Sequence, residues 1–302
     1  MGTGGSEGWS GRPPRCYRRR EVLAKRYGMA DPTILMGAVA YDPKVVTIWE
    51  GMREHFQEHG VALDFALFSS YERQIEALLG GHIDVSWSSA IAHVRVKRRT
   101  EGKSLGLAMR DRDRDVCAKI LVRREVGLRK LTDLHGKTLA VGTRDSVQAR
   151  ILPLYYLKQA GVDLGQVKIH AFDGNLGKHG DTGASELEVL AAVHSGKAQA
   201  GAVGSLVWQA EQAAGNVDPR IVDVLWTTPC FDLRIFDAMP TLPAEKIEAF
   251  RRILTEMSYA NPKHRKILDM EGMRRWLPGR EQSYAPVRAA MEEIGDRLLE
   301  TR

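Results

Sequence analysis

Short apolar runs bounded by turn residues alternate with helical patterns along most of this sequence. The run TILMGAVAY (33–41) predicts a strand, residues 43–59 predict an amphipathic helix, and VALDFALF (61–68) predicts a second strand. Such alternation is typical of mostly parallel sheets that are covered by helices. The pattern starts again at LTDLHGKTLAVG (131–142), which predicts an α/β protein built from two units of roughly 100 residues each.

The other predicted elements follow the same alternation. We expect strands at 82–89, 105–110, 117–124, 167–172, 198–205 and 221–228, and helices at 71–80, 146–161, 186–196, 243–258, 264–271 and 283–300. The chain is therefore predicted to be mostly helical after residue 228. Its length of 302 residues allows two domains, each with a core of its own.

The basic charge of the chain lies mainly in residues 1–30. That segment holds seven basic residues and two acidic ones, within a formal net charge of +6 for the whole chain. The excess charge thus belongs to a predicted flexible tail and not to a folded face, so we expect no nucleic-acid partner. Met29 is an alternative start, because Met-Ala-Asp-Pro leads directly into the first predicted strand, and whether residues 1–28 belong to the native protein stays open.

Membrane, secreted and disulfide-rich proteins are all disfavoured. No uninterrupted apolar run is long enough to span a bilayer, so we expect no membrane span. The first 30 residues also lack the apolar stretch of a secretory signal, which predicts a cytoplasmic location. Cys16, Cys117 and Cys230 are odd in number and far apart, which argues against a disulfide framework or a structural zinc site.

Four segments carry a resemblance to a known family: GGHIDVSWSSAIAHV (80–94), LRKLTDLHGKTLAVGTRDS (128–146), LPLYYLKQAGVDL (152–164) and VLAAVHSGKAQAGAV (189–203). They resemble the type 2 periplasmic binding proteins, and most of all the phosphate-, phosphite- and phosphonate-binding branch of the ABC importers. The run EGMRRWLPGREQSYAPVRAAMEEIG (271–295) resembles the C-terminal helices of that branch. The similarity therefore covers nearly all of residues 31–300.

The resemblance implies a two-lobed fold in which each lobe is a mixed, mostly parallel sheet flanked by helices. Two crossing strands, near 104–124 and 203–230, would join the lobes, and the lobes would close on a ligand by a hinge movement. Lobe 1 would hold residues 31–110 and 222–302, and lobe 2 would hold residues 111–221. In such a fold the ligand meets the C-terminal ends of strands and the N-terminal ends of helices.

Lobe 2 departs from this branch at its ligand-binding turn. Similar proteins carry a DPxSTSG-like turn that holds phosphonate oxygens, whereas this chain has TRDSVQAR (143–150) there. Ser146 retains one hydroxyl, but Val147 and Gln148 replace two others, which removes hydrogen bonds to a tetrahedral oxyanion. Arg144 is either a bidentate partner for a carboxylate or phosphate group or a solvated residue at a helix start, and Ser146 is also a plausible helix cap.

The ends of other predicted strands supply further candidate ligand contacts. Two residues follow the first strand and two follow the third, and a carboxylate opens the helix predicted at 186–196. Helix capping and turn formation are the alternative interpretation for the residues of lobe 1. The predicted ligand-binding set is Tyr41, Asp42, Ser88, Ser89, Arg144, Ser146, Gln148 and Glu186.

An enzyme built on the same scaffold is the alternative, because the fold also resembles that of several cytoplasmic lyases and decarboxylases. The glycine-rich loop 173–186 is longer than in similar proteins and contains His179. His179 and Glu186 are the candidate catalytic residues, since an acid and a base within hydrogen-bond reach suffice for proton transfer. Their spacing matches no HExxH or CxxC pattern, so we expect no cofactor, with a divalent metal ion as the alternative.

The sequence thus predicts a cytoplasmic, two-lobed protein that closes on a small anionic or zwitterionic metabolite, such as a phosphonate-like, carboxylate or sulfonate compound. A homo-oligomer, or a signalling partner that reads the closure, is a further hypothesis. The identity of the ligand and the choice between a binding protein and an enzyme stay open.

Overall fold

The computed structural model describes residues 33–173 and 182–294. Its strands are β1 (Ile34–Val39), β2 (Leu63–Phe68), β3 (Val85–Ser88), β4 (Leu105–Gly106), β5 (Ala108–Arg110), β6 (Ala118–Arg123), β7 (Thr138–Val141), β8 (Lys168–Ala171), β9 (Ala200–Gly204), β10 (Val222–Thr227), β11 (Ile235–Ala238) and β12 (Trp276–Pro278). Its α-helices are α1 (Lys44–Glu58), α2 (Tyr71–Leu79), α3 (Ala90–Arg99), α4 (Leu152–Gln159), α5 (Ala184–His194), α6 (Ser205–Ala213), α7 (Ala244–Thr255), α8 (Pro262–Met270) and α9 (Ala285–Ile294). A π-helical turn, Val147–Ile151, leads directly into α4. Within the two ranges that the structure describes, no helix has the length and apolar character needed to cross a membrane.

The strands form two five-stranded sheets and one two-stranded sheet. The first large sheet has the order β2-β1-β3-β11-β4, with β1 parallel to β2 and β3, and β11 antiparallel to its neighbours. The second has the order β10-β6-β9-β7-β8, with β7 parallel to β8 and β9, and β6 antiparallel to its neighbours. Both sheets are therefore mixed and carry helices, as the sequence predicts.

The chain passes between the two large sheets twice. It leaves the first sheet after β4, forms β5 of the two-stranded sheet, enters the second large sheet at β6, and returns through residues 228–234 between β10 and β11. Val116 and Phe231 form an antiparallel bridge where the two passages meet, with N–H to carbonyl distances of 3.0 and 2.8 Å. This crossing was predicted near 203–230. Most of that range forms α6 and β10, so the return passage begins only at residue 228.

Strand β10 belongs to the second sheet, since it pairs antiparallel with β6. Residues 222–227 therefore do not lie in the sheet of lobe 1, to which the sequence assigned them. The reason is that partner choice between strands is set by tertiary pairing and leaves no mark in the apolar pattern of a single strand. The remaining boundaries of the lobes stay a prediction.

Four of the strands and α-helices in the described residues were not predicted: α3, α6, β11 and β12. Strand β11 lies inside the first sheet between β3 and β4, and all four of its residues are buried. One of these is Asp237, whose carboxylate accepts a hydrogen bond from His93 Nδ1 at 2.8 Å in the buried pair. A charged residue within a strand of only four residues interrupts the apolar run from which strands are predicted, so the sequence does not indicate β11.

One hydrophobic cluster contains residues from both lobes. It joins Ile91 of α3, Ile151 of the π-helical turn and Val287 of α9, all of which are buried. Helix α9 therefore packs beside both the first lobe and the second. Further along α9, the Glu293 carboxylate forms an ion pair with Lys158 of α4 at 2.5 Å.

Candidate ligand-binding site

A cavity of about 350 Å³ lies between the two large sheets. Its volume falls within the usual range of small-molecule sites, roughly 300–1,000 Å³. The first sheet and its helices, together with β5, the turn after β5 and the return passage, contribute Tyr41, Asp42, Lys44, Ser89, Ala90, Arg110, Arg112, Asp113, Leu233, Arg234, Asp269, Met270, Glu271 and Gly272. The second contributes Asp145, Val147, Gln148, Thr182, Gly183, Leu206 and Val207.

Several helices begin at the wall of this cavity. Ser89 caps α3, where its hydroxyl oxygen accepts a hydrogen bond from Ala92 N at 3.3 Å, and the capping residue itself lines the cavity. Gly183 and Leu206 line the cavity at the starts of α5 and α6. The first N–H groups of a helix lack intrahelical partners and form its positive end. The wall therefore favours a ligand that carries negative charge.

Arg110 is a buried cation at the wall and is held by two buried carboxylates. Its Nε and Nη2 atoms donate to Asp113 at 2.5 and 2.9 Å, and Nη1 donates to Glu271 Oε2 at 2.6 Å. Burial lowers the pKa of Arg110, but the Asp113 and Glu271 carboxylates outweigh burial and the nearby Arg234, so the pKa is raised overall. The guanidinium also lies over the Trp87 ring, 5.4 Å from its centroid. These contacts fix Arg110 in position.

Arg234 is a second buried cation at the wall, with only 4% of its surface exposed. Its guanidinium lies over the Tyr41 ring, 5.3 Å from the centroid, and Nη1 donates to Tyr41 Oη at 3.4 Å. An anionic group in the cavity would be strongly attracted to this guanidinium, because opposite charges interact strongly in a region of low dielectric constant.

On the side of the second sheet, the cavity wall contains Gln148, which is 7% exposed. Its Nε2 donates to the carboxylate of Glu186, which has no exposed surface. The second oxygen of this carboxylate accepts from Gly204 N at 2.5 Å. Burial raises the pKa of Glu186 to about 7, although these two hydrogen bonds lower it.

The structure brings four residues of the predicted ligand-binding set to the cavity wall: Tyr41, Asp42, Ser89 and Gln148. The first two precede α1, and the Asp42 carboxylate accepts from Lys44 N at 2.8 Å, which is a local turn contact. Ser89 caps α3, so the predicted capping role and a place at the cavity occur together in one residue.

The other four predicted residues do not line the cavity. Ser88 is buried and its hydroxyl pairs with Ser86 at 2.9 Å. The Ser146 hydroxyl accepts from Ala149 N at 3.1 Å, so it caps the π-helical turn. Arg144 donates its backbone N–H to Asp173 Oδ1 at 2.8 Å, and Glu186 lies buried against Gln148.

The candidate His179 lies outside the described residues, and the chemistry of the glycine-rich loop stays a prediction. Within residues 33–173 and 182–294, no group of three or more His, Cys, Asp or Glu side chains is arranged to hold a metal ion.

The sequence reasoning did not select Arg110, Arg234 or Glu271, which contribute most of the buried charge at the wall. A signal for the first was present, because an alternating run of five charges, Asp111–Asp115, follows it directly. That run is also typical of a solvated turn. Arg234 and Glu271 come from the return passage and from the end of α8, so only the tertiary structure brings them to Arg110.

Comparison with known proteins identifies the family. A sequence profile described as "ABC transporter, phosphonate, periplasmic substrate-binding protein" matches residues 37–284. A probable ABC transporter phosphite-binding protein of Prochlorococcus marinus is 25% identical over 230 residues, which cover 73% of each chain.

Solved structures show the same fold. The Prochlorococcus marinus protein in complex with methylphosphonate has a TM-score of 0.65 at 19% identity, covering 87% of this chain and 98% of its own. A Xanthomonas citri protein bound to ATP has a TM-score of 0.69 at 17% identity, covering 88% and 99%. The aliphatic sulphonate-binding protein of Escherichia coli has a TM-score of 0.57 at 17% identity, covering 90% and 95%.

These similarities confirm the two-lobed fold of the periplasmic binding proteins that the sequence predicts. The profile match extends over most of the chain and includes both sheets and the cavity between them. The chain therefore belongs to the family of phosphonate periplasmic substrate-binding proteins of ABC transporters.

Proposed function

We propose that this protein binds a small organic anion or zwitterion in the cavity between its lobes, with the anionic group of the ligand against Arg234. The observation that carries the proposal is the burial of the Arg234 guanidinium at a wall where several helices begin. A phosphonate, sulfonate or carboxylate group fits such a site, because each accepts charge-assisted hydrogen bonds from a guanidinium. The named ligands of similar proteins, methylphosphonate and aliphatic sulphonates, support this class.

The wall on the second lobe favours a ligand with more than a bare oxyanion. Val147, Leu206 and Val207 present apolar side chains there, beside the carboxamide of Gln148. A tetrahedral oxyanion that meets apolar side chains would lose hydrogen bonds that it makes in water. We therefore expect the anionic group to face lobe 1 and the carbon-bearing part of the ligand to face these three residues.

The test is calorimetric titration of the full chain with methylphosphonate, ethanesulfonate, propionate and taurine. We expect at least one of these compounds to bind, and a ligand at 100 times its Kd to stabilise the fold by about 2.7 kcal/mol. Arg234→Met removes the charge but keeps an unbranched side chain, and we expect it to weaken binding by at least roughly tenfold. Arg252→Met is the matched control, because Arg252 is exposed on α7 and pairs with Glu256.

Two outcomes would contradict the proposal. One is that no compound of the panel binds the wild-type protein, and the other is that Arg234→Met binds the same compounds with unchanged affinity. The cytoplasmic location, the signalling partner and the homo-oligomer stay predictions, as does the lyase or decarboxylase hypothesis with its divalent metal ion.

A further inference from the structure

Glu186 is a buried carboxylate whose contacts are both neutral. Gln148 donates to one of its oxygens through Nε2, and Gly204 donates to the other through its backbone N–H. Burial is the largest influence on its pKa, and no charged side chain of the described residues contributes to it. An ionised carboxylate in such a place has no opposite charge among the described side chains, and is stabilised by these two hydrogen bonds and by its position in the first turn of α5.

Both contacts of Glu186 lead to the cavity. Gln148 lines the cavity directly, and Gly204 precedes α6, whose residues Leu206 and Val207 line it. Glu186 therefore lies one carboxamide behind the wall. Two negative charges placed on either side of Gln148, one on Glu186 and one on a ligand, would repel each other through a region of low dielectric constant.

We propose that binding of an anion in the cavity is coupled to protonation of Glu186, with Gln148 as the link between the two sites. The proposal rests on the anion binding proposed above. Because coupling between two sites is reciprocal, the anion raises the proton affinity of Glu186 by the same factor by which the proton raises the affinity for the anion. The proton comes from solvent, and no covalent bond to the ligand forms or breaks. Glu186 is thus a positioning residue and not a ligand contact.

The hydrogen bonding of Gln148 gives the coupling a structural route. Gln148 Oε1 is buried and has no hydrogen-bond partner among the described residues. A protonated Glu186 is a donor, and a half-turn of the Gln148 carboxamide would bring Oε1 to it as the acceptor. That turn releases Nε2 from Glu186. The described lining residues include no histidine, and their charged members are Asp42, Lys44, Arg110, Arg112, Asp113, Asp145, Arg234, Asp269 and Glu271.

The test is calorimetric titration of the full chain with ethanesulfonate and with propionate, both of which stay fully ionised from about pH 6 to about pH 8.5. We expect the affinity of the wild-type protein for either anion to fall roughly tenfold over this range, because Glu186 loses its proton and becomes negatively charged. Titration at about pH 7 in two buffers of different ionisation enthalpy will show net proton uptake on binding. This second readout needs no variant.

Glu186→Gln has no charge at any pH, so we expect its affinity to be nearly independent of pH and its proton uptake to be lost. Glu188→Gln is the matched control, because it removes the same charge from the same helix at a residue that does not line the cavity. The control should keep the pH profile of the wild type.

The outcomes separate this inference from the proposed function. If neither anion binds at any pH, both fail. If an anion binds with an affinity that does not change with pH and without proton uptake, the coupling is refuted while the proposed function stands. A pH profile that persists in Glu186→Gln also refutes the coupling, because another group would then carry it.

Discussion

The substitution Glu186→Gln should stabilise the protein at neutral and alkaline pH. The pKa of Glu186 rises from its ordinary value of 4.5 to about 7 in the folded protein, because burial penalises the ionised form. Between these two values the folded state binds a proton that the unfolded state has already released. The contribution of Glu186 to stability is therefore greatest below pH 4.5, falls as the pH rises, and reaches its minimum above about pH 7.

The size of the effect follows from the difference between the two pKa values. A difference of about 2.5 pH units, at 1.36 kcal/mol for each unit, corresponds to about 3 kcal/mol. Glutamine resembles the protonated carboxyl group in shape and has no charge to bury. We expect the free energy of unfolding of Glu186→Gln to equal that of the wild type near pH 4.5 and to exceed it by about 3 kcal/mol near pH 8.5.

Urea denaturation of both proteins at a series of pH values measures this difference directly. Glu188→Gln provides the control, because it removes the same charge from a half-buried side chain on the same helix, and it should not reproduce the gain in stability of Glu186→Gln. An advantage of Glu186→Gln that stays constant from pH 4.5 to pH 8.5 would refute the reasoning, since burial of the charge could not then be its cause.

Two further predictions concern buried charge and buried histidine in lobe 1. Arg110→Met leaves the carboxylates of Asp113 and Glu271 buried without their cation, and we expect urea denaturation to show a free energy of unfolding lower by about 3–5 kcal/mol. The control is Arg112→Met at an exposed position, which should lower the free energy of unfolding by less than about 1 kcal/mol. Equal losses in the two variants would contradict the argument. Burial lowers the pKa of His55 below its ordinary 6.5, so its contribution to stability is present above about pH 6.5 and is lost as the pH falls. His55→Gln keeps an N–H donor for Ile253 O, and it should reduce the fall in melting temperature between about pH 7.5 and 5.5 in thermal unfolding. A fall as large as that of the wild type would argue against this reasoning.

The local pattern of apolar residues predicts much of the fold, because strands alternate with helices in each lobe. The helix predicted at 43–59 is α1, and the strand predicted at 61–68 contains β2. Both elements have an apolar face that must be buried, so the spacing of their apolar residues indicates whether each is a helix or a strand. Strand β11 escapes the same reasoning, because the hydrogen bond to its buried Asp237 comes from His93, on a helix 144 residues earlier in the chain.

The candidate site divides in the same way. Ser89 and Gln148 reach the cavity because they stand at the beginnings of helical segments after strands of the two sheets, a position that sequence order reveals. Ser146 stands in an equivalent position, but its hydroxyl turns to Ala149 N as a cap. Whether a hydroxyl caps its own helix or faces a ligand is decided by a side-chain rotamer, which spacing along the chain does not specify.

The sequence by itself determined the α/β class, the repetition of the pattern in two halves and the family. These depend on local periodicity and on runs of contiguous residues. Only the tertiary structure decided which charges meet in the cleft. Arg110, Arg234 and Glu271 come from three distant parts of the chain, and their burial beside one another depends on how the two passages and α8 pack, which no local pattern records.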